Sequence, residues 1–568
     1  MPIVGAVNDK MQGTGFRVWA PLHDRVAVEV MGQTIPMTKD ADGYHHVHVP
    51  EAKTGMDYFY VLEDGRKLPD PASRWQPHGV HGASRIYAPG RKYDDSWVPP
   101  PHAEWILYEL HIGTFTKEGT FFSAIEKIPH LKDLGVNAVE VMPVAAFPGN
   151  RNWGYDGVFP FAVQESYGGP DAFETFIDAC HRAGIAVILD VVYNHFGPEG
   201  CYFQEYGPYF TDHYRTPWGK AINYDGAYCD PVRDYILANV RYWIEEFHLD
   251  GLRLDAVHAI FDLGVHHILK EIQAAVPHAF IVAESDQNDP RLIKDYHLAA
   301  QWNDDFHHAL RPLLTGDRSS YFADFGSIAD VAKALSDGFV FDGQYSTFRK
   351  KCYGGPSKDF SGERLVFFIQ NHDQIANASR GNRLAALVTK DQVKLAAMLL
   401  LAAPALPMLF MGEEWGARTR FDFFTDFPDK KLAKAVTEGR KKEYSSHNLG
   451  DEFFDPQDEK TFLHSKLDWR FDKDIYSFYQ QMIALRRRHF TLEMCSKAET
   501  RVQYNESGWV AIDRKYAFCV VNLSEKKQRL PQPPADRQWT QAIAVGSDLG
   551  APWSGSLYLS SEAIASAS

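Results

Sequence analysis

Apolar and polar residues alternate in short runs along residues 1–92, which is the pattern of β-strands with one buried face. The runs cover residues 15–20, 26–30, 46–49 and 58–62, and turns separate them. Short strands of this kind predict an N-terminal β-sandwich over residues 1–92. A stretch rich in proline follows, and it predicts a linker over residues 93–104.

After Trp105 the pattern changes to short apolar runs separated by segments of helical spacing. Helices are predicted at residues 122–134, 171–183, 232–248, 265–275 and 474–489. Eight strands are predicted, at residues 105–111, 138–143, 186–192, 251–255, 280–284, 299–302, 365–370 and 406–411. This alternation predicts an α/β fold, a (β/α)8 TIM barrel over residues 105–489, whereas the competing doubly wound sheet rarely has eight such units. Short strands return in residues 490–568 and predict a C-terminal β-sandwich domain.

Two connections are too long for ordinary loops. Residues 193–231 are rich in Tyr, Gly and Pro, and we expect them to shape a binding site. Residues 413–465 are largely polar and are predicted to be an irregular insertion. The longest apolar stretch, residues 396–411, is broken by Pro404 and Pro407, so it predicts a buried helix and a strand and no membrane span.

Composition excludes some functions. A net charge of −15 over 568 residues argues against nucleic acid as a partner, because phosphate binding needs a basic face. The six cysteines are scattered without metal-ligand spacing and are few for a disulfide scaffold. The chain begins without an apolar signal core, and we expect a cytoplasmic protein that needs no cofactor.

Three carboxylic acids follow apolar strands, and they are the first candidates for chemistry. Asp255 ends the fourth predicted strand, Glu284 ends the fifth, and Asp373 follows the seventh. Charge at the end of a buried strand is costly unless a site uses it, and barrel active sites lie at the carboxyl ends of strands. Converging acids suit cleavage of a glycosidic bond, and a structural salt bridge is the competing interpretation.

Four stretches carry a family resemblance, at residues 190–195, 251–258, 283–285 and 368–373. Together and in this order they resemble the signature regions of the alpha-amylase superfamily of glycoside hydrolases. The resemblance covers the whole chain, including a carbohydrate-binding-like N-terminal sandwich of the type that glycogen-branching and debranching relatives carry. It implies that Asp255 is the nucleophile, that Glu284 is the general acid and then base, and that Asp373 holds sugar hydroxyls. We therefore expect a raised pKa for Glu284.

Residues around these acids are candidates for substrate binding. Arg253 lies two residues before Asp255, so both point to one side of the strand and Arg253 can orient the acid. The resemblance implies that His195 and His372 hydrogen-bond the sugar and that Tyr155 stacks beneath it. Buried structural roles compete with these interpretations.

A metal is not predicted. In many members of the superfamily the residue that matches Asn194 binds calcium, but the other ligands cannot be identified in this sequence. Asn194 and Asp190 are instead expected to support the loops and His195.

The run of residues 303–308, Asn-Asp-Asp-Phe-His-His, follows the sixth strand and resembles members that act on maltooligosyltrehalose. The resemblance places a set of candidates on the leaving-group side, namely His258, Asp304, Asp305, His307, Gln374 and Asn377. A structural role is an equal alternative for each of them. Trp218, in the long third loop, is a candidate for stacking on a sugar or for ordering the loop.

The resemblance implies a retaining hydrolase that cleaves the α-1,4-glucosidic bond next to the terminal trehalose of maltooligosyltrehalose or acts on related α-glucans. An α-1,4-glucan branching enzyme, or another amylase-type hydrolase or transferase, is the alternative. A binding protein that has lost catalysis is disfavoured because Asp255, Glu284 and Asp373 are all present.

Overall fold

The computed structural model of the chain describes residues 4–9, 12–90, 93, 96–378, 381–446, 453–489 and 495–565. Eight parallel strands close into a barrel, in chain order around the ring. The barrel strands β1 to β8 are Leu107–Leu110, Ala138–Val141, Ala186–Val191, Gly251–Leu254, Phe280–Ala283, Ala300–Asn303, Leu365–Phe368 and Leu406–Phe410. Every residue of these strands is buried, because the barrel core fills one face and helices cover the other. The predicted TIM barrel is confirmed.

Helices fill the connections between the strands and surround the barrel. They are Ile112–Phe115, Phe121–Ile125, Ile128–Leu134, Gly169–Arg182, Phe203–Tyr206, Cys229–Arg241, Ile268–Ala275, Arg291–Lys294, Asp304–Thr315, Ile328–Asp337, Leu384–Leu387, Lys390–Ala402, Lys430–Ser446, Glu459–Ser465 and Lys473–His489. The long third loop contains a hairpin of Phe210–Thr216 and Gly219–Ile222. Within the described part of the chain, no helix is both long and apolar enough to cross a membrane.

The N-terminal strands form two sheets, as predicted for a sandwich. One sheet contains Gly5–Asp9, Gly13–Trp19, Thr38–Lys39 and Tyr44–Val49. The other contains Val26–Val30, Gln33–Pro36, Asp57–Leu62, Lys67–Leu68 and Ser84–Arg85. The predicted boundaries at residues 92 and 490 lie outside the described residues.

The C-terminal strands form one five-stranded antiparallel sheet where two had been predicted. Its strands, in spatial order, are Arg501–Asn505, Trp509–Arg514, Ala517–Asn522, Ser554–Ser560 and Trp539–Val545. The barrel helix Lys390–Ala402 packs against Ala517–Asn522 and Ser554–Ser560. Because this helix covers one face, that face needs no second sheet. A short helix, Ser561–Ala565, follows the last strand.

Two local predictions were wrong. The single helix predicted at residues 122–134 is two helices, because Pro129 lacks an N–H and fits only in the first turn of the second one. The insertion at residues 413–465 was predicted to be irregular, but it contains the 17-residue helix Lys430–Ser446. That helix has a polar surface, including an ion pair between Lys441 and Glu438, so apolar periodicity does not mark it.

One hydrophobic core runs through all three regions of the chain. Phe16 of the sandwich, Trp105 of the barrel and Val510 of the C-terminal sheet belong to the same contiguous cluster. The predicted linker is also fastened to the barrel, since the Trp97 indole stacks on His181 at 4.4 Å between ring centroids. The barrel therefore packs against the regions that precede and follow it in the chain.

Candidate active site

Asp255 and Glu284 stand side by side at the carboxyl ends of β4 and β5. Leu254 and Ala283, the last residues of these strands, are paired across the sheet. The Asp255 carboxylate accepts a hydrogen bond from Arg253 Nη1 at 2.9 Å, and Arg253 Nη2 lies 3.4 Å from Glu284 Oε2. One fully buried guanidinium therefore hydrogen-bonds Asp255 and forms an ion pair with Glu284.

Asn194 fixes the other oxygen of the Asp255 carboxylate. Its Nδ2 donates to Asp255 Oδ2 and to the Asp255 carbonyl oxygen, both at 2.7 Å. With Arg253 donating to Oδ1, each carboxylate oxygen has its own donor. Asp255 is thus held in one orientation at the strand end, as an attacking nucleophile requires.

Main-chain amides from the turn after the fourth strand hold Glu284. The N–H of Ala256 donates to Glu284 Oε2 at 2.6 Å, and the N–H of Val257 donates to the Glu284 carbonyl oxygen at 3.0 Å. Ala256 reaches this position with a φ of 39°, in the left-handed region that residues with a side chain rarely adopt. The acid therefore depends on an unusual backbone turn directly after Asp255.

The environment of Glu284 suits an acid that must carry a proton. Burial raises its pKa above the ordinary value, Arg253 opposes the shift, and the carboxylates of Asp255 and Asp373 add to it. A raised pKa keeps the carboxyl protonated at higher pH, which a general acid needs. The pKa of Glu284 is therefore shifted upward, as the sequence predicts.

His372 joins Asp373 to the barrel interior. Its Nε2 lies 3.4 Å from Asp373 Oδ2, and its Nδ1 contacts Glu109 on β1. Burial lowers the pKa of His372, but the carboxylates of Asp373 and Glu109 outweigh burial and raise it to about 9. Asn377 Nδ2 donates to Asp373 Oδ1 at 3.1 Å. His372 is therefore a cation at neutral pH beside the third acid.

Tyr155 lies in the cleft network and is partly exposed. Its hydroxyl donates to Asp190 Oδ2 at 2.7 Å and accepts from His372 Nε2 at 2.9 Å. The two rings lie 5.3 Å apart at 26°. Burial raises the pKa of Asp190 to about 7, although Arg253 lowers it. Tyr155 packs against the hydrophobic core, and its ring and hydroxyl also contact site residues.

His195 is oriented by its neighbours and covered by Trp218. Its Nε2 lies 3.1 Å from the Tyr155 carbonyl oxygen, and its Nδ1 contacts the Asn194 side chain. The Trp218 indole stacks on the imidazole at 4.7 Å between centroids. Burial lowers the pKa of His195 below its ordinary value, whereas the Asp255 carboxylate and the Tyr155 carbonyl oxygen oppose this shift. Trp218 stays 49% exposed to solvent.

The leaving-group candidates Asp304, Gln374 and His258 surround the acids. Gln374 Nε2 donates to Asp304 Oδ1 at 3.1 Å, and Tyr321 donates to Gln374 Oε1 at 2.9 Å. Burial raises the pKa of Asp304 well above its ordinary value, and nearby carboxylates, Glu284 first, add to the shift. His258 lies apart from this chain of contacts, with its Nδ1 3.7 Å from Asp286 Oδ1.

A model of a protein family matches the part of the chain that forms the barrel and this site. The model of the alpha amylase catalytic domain matches residues 94–220 and 222–494. The chain belongs to the alpha-amylase family. The matched region contains the whole barrel and every residue of the site.

Relatives within the family differ in how much of this chain they match. The chain is 48% identical to the malto-oligosyltrehalose trehalohydrolase of Saccharolobus solfataricus over 84% of this chain and 86% of the relative. It is 42% identical to the enzyme of the same name from Rhizobium sp. (strain M-11), over 92% and 93%. The glucan branching enzyme of Nitrosomonas europaea is 33% identical over only 45% of this chain and 39% of its own length.

Solved structures agree with the family assignment. A crystal structure from Salmonella typhimurium, provisionally assigned as an alpha amylase, superposes with a TM-score of 0.91 at 36% identity and covers 98% of this chain and 99% of its own. A pullulanase of Anoxybacillus sp. LM18-11 complexed with maltotetraose superposes with a TM-score of 0.73 at 19% identity, over 98% and 87%. At that identity the second match shows the fold alone.

Two predicted substrate-binding residues are placed beneath the cleft. Asp305 is 2% exposed, and its Oδ2 accepts from Asn288 Nδ2 and from the N–H groups of Val340 and Phe341 at 2.7–2.9 Å. His307 is buried against aromatic rings. The structure therefore brings Asp304 to the acids and gives Asp305 a supporting position, because successive helical residues point about 100° apart. His307, one helical turn after Asp304, is also buried.

Some residues of the site were missed in the sequence. Glu109 holds His372, and its only signal was an acid inside an apolar strand. Arg349 donates to Asp286 Oδ2 at 2.9 Å from the connection between β6 and β7. Tyr321 lies in the same connection, and no local pattern singles out either residue.

The calcium position of other family members is filled by protein contacts. The Asn194 amide faces Asp255 through its nitrogen and His195 through its oxygen. In the described ranges, no three His, Cys, Asp or Glu side chains are grouped as a metal site. The contacts of the Asn194 side chain are therefore with Asp255 and His195.

Proposed function

We propose that this chain hydrolyses the α-1,4-glucosidic bond between a maltooligosaccharide and a terminal trehalose unit, releasing trehalose. The observation that carries the proposal is the fixed pair of Asp255 and Glu284 about Arg253. The choice of substrate is supported by relatives named malto-oligosyltrehalose trehalohydrolase, which match most of the chain.

The proposed reaction uses the two acids in turn. Glu284 donates its proton to the glycosidic oxygen while Asp255 Oδ attacks the anomeric carbon, forming a covalent glycosyl-enzyme. Glu284, now a carboxylate, takes a proton from water, which displaces Asp255. Each displacement inverts the anomeric carbon, so the released maltooligosaccharide has the α configuration.

The binding residues are assigned roles on either side of the bond. We propose that Asp373, His372 and His195 hydrogen-bond the sugar on the nucleophile side and that Tyr155 stacks beneath it. Asp304 and Gln374 are assigned to the trehalose side, where His258 and Asn377 flank the site. A reducing cytoplasm is the proposed location, supported by six free cysteines.

A product assay tests the activity and separates it from the alternatives. Purified protein is incubated with maltopentaose and with its trehalose-capped counterpart, and the products are separated by chromatography. Free trehalose from the capped substrate is the expected result, with little change in maltopentaose. New α-1,6 branches on a longer glucan would instead identify a branching enzyme, and no turnover of any glucan would identify a binding protein.

NMR of the first-formed reducing end tests the route of the reaction. The α anomer is expected before mutarotation. An initial β anomer would show that Asp255 does not form a covalent intermediate.

A further inference from the structure

Glu140, on β2, is an acid inside the barrel without a counter-ion of its own. Its side chain is 1% exposed, and Oε2 has no hydrogen-bond partner among the residues that the structure describes. It is paired in register with Glu109 on β1. Because paired residues of neighbouring strands point to the same face, Glu140 points into the barrel beside Glu109, which contacts His372.

The cations that act on Glu140 are already engaged with other carboxylates. Arg253 contacts Asp190, Asp255 and Glu284. His372 contacts Glu109 and Asp373. A further negative charge at Glu140 would be buried without a cation of its own, which proteins avoid by keeping such a group protonated. Burial and then Glu109 raise the pKa of Glu140 well above its ordinary value.

We propose that Glu140 is a positioning residue, an uncharged carboxylic acid whose neutrality leaves the Arg253 guanidinium to the catalytic carboxylates. Arg253 keeps Nε and Nη2 without a hydrogen-bond partner in the described structure. An ionised Glu140 would attract Arg253 away from Asp255 and Glu284, because attraction between charges is strong in a buried layer. This role rests on the glycosidase function proposed above.

Infrared spectroscopy tests the protonation state without any substrate. The difference spectrum between the natural protein and Glu140→Gln at neutral pH should contain a carboxylic acid C=O band that the variant lacks. A difference in carboxylate bands would show that Glu140 is ionised and would overturn the proposal. Because no turnover is needed, this result stands even if the proposed substrate is wrong.

Kinetics on the capped substrate tests the positioning role. Glu140→Gln is neutral and of similar shape, so kcat/KM at neutral pH should change by less than about threefold. At alkaline pH the variant should retain a larger fraction of its neutral activity than the natural protein, because only the natural protein can ionise at this position. Identical pH profiles would show that Glu140 has only a structural role. A fall in kcat/KM of more than about tenfold at neutral pH would show that the charge of Glu140 is needed.

Glu109→Gln is the matched control, since Glu109 lies beside Glu140 in register but is paired with His372. Removing the Glu109 charge should lower kcat/KM by about tenfold or more, while the same change at Glu140 should not. Equal effects at the two positions would contradict the assignment. If Glu140→Gln does not fold, Glu140→Met supplies a second uncharged side chain of similar volume for both measurements.

Discussion

Arg253 contacts both proposed catalytic acids, Asp255 and Glu284, and also contacts Asp190. Its Nη1 donates to both oxygens of Asp190 at 2.8–2.9 Å as well as to Asp255, and its Nη2 faces Glu284. The Trp302 ring lies 4.4 Å from the guanidinium and supports it from one face. Lysine, a single point charge, could not reproduce these contacts.

Asp255→Asn and Glu284→Gln should each abolish turnover of the capped substrate while the fold stays intact. Losing the nucleophile removes the covalent step, and losing the acid removes proton transfer, so kcat should fall by about 10²–10⁴ or more. Steady-state kinetics and thermal unfolding measure the two outcomes. Near-normal activity in either well-folded variant would show that the catalytic assignment is wrong.

His372 should make stability depend on pH. Its folded-state pKa of about 9 is above the unfolded value of about 6.5, so its contribution is fully present below about pH 6.5 and is lost as pH rises through about 9. His372→Gln should therefore flatten the fall in the free energy of unfolding over this range. Urea unfolding of both proteins at a series of pH values measures the effect, and parallel curves would contradict it.

At the scale of elements, the start of the helix Asp304–Thr315 separates recognition from support. Asp304 faces Gln374 and the catalytic acids, whereas the next residue anchors the backbone of Val340 and Phe341. The two aspartates are neighbours in sequence and differ in what their side chains contact. They therefore form a natural pair for comparison.

Asp304→Ala and Asp305→Ala should have different effects. Asp305→Ala leaves two backbone N–H groups without their acceptor and should cost about 1–3 kcal/mol of stability, with similar losses of activity on every substrate. Asp304→Ala should reduce activity on the trehalose-capped substrate more than any weak activity on maltopentaose. Kinetics on both substrates and urea unfolding distinguish the two. Equal losses of activity on both substrates for Asp304→Ala would show that Asp304 does not recognise the trehalose unit.

The same helix shows how far the sequence could predict the site. Asp255, Glu284 and Asp373 were found because apolar strands place the acids at strand ends that converge in a barrel. Asp305 and His307 could not be separated from Asp304, since the rotation of a helix about its axis depends on tertiary packing. Glu109 was missed because its partner His372 lies 263 positions away, and only the closed barrel brings them together.

At the scale of the whole molecule, the sandwich is bound to the barrel by polar contacts as well as by the shared core. Arg74 forms an ion pair with Glu246 at 2.9 Å. Tyr206 and Tyr235 donate to the carbonyl oxygens of Pro69 and Pro71 at 2.7–2.8 Å. Separating the two regions would expose these groups and the apolar surface around them.

The chain should therefore unfold in one cooperative transition. Because the core is continuous across the three regions, none of them should melt independently. Differential scanning calorimetry is expected to show one peak, and circular dichroism and tryptophan fluorescence should give coincident transitions. Two resolved peaks would show that the sandwich or the C-terminal sheet is a separate folding unit.

Chelators should leave both activity and melting temperature unchanged. The reason is that the Asn194 side chain is held by Asp255 and His195. Assays before and after dialysis against EDTA measure the effect. Activity lost in EDTA and restored by calcium would reveal a metal site.

The turn at Ala256 has a consequence for divergence within the family. The main-chain N–H of Ala256, the residue after the nucleophile, donates to the Glu284 carboxyl group, so the spacing between the two reacting groups depends on this turn of the main chain. Any sequence that keeps this turn and this barrel keeps that spacing, whatever side chains surround the cleft. Loops such as the Trp218 hairpin can then change the preferred sugar while bond breaking is preserved, so substrate choice and chemistry can evolve separately.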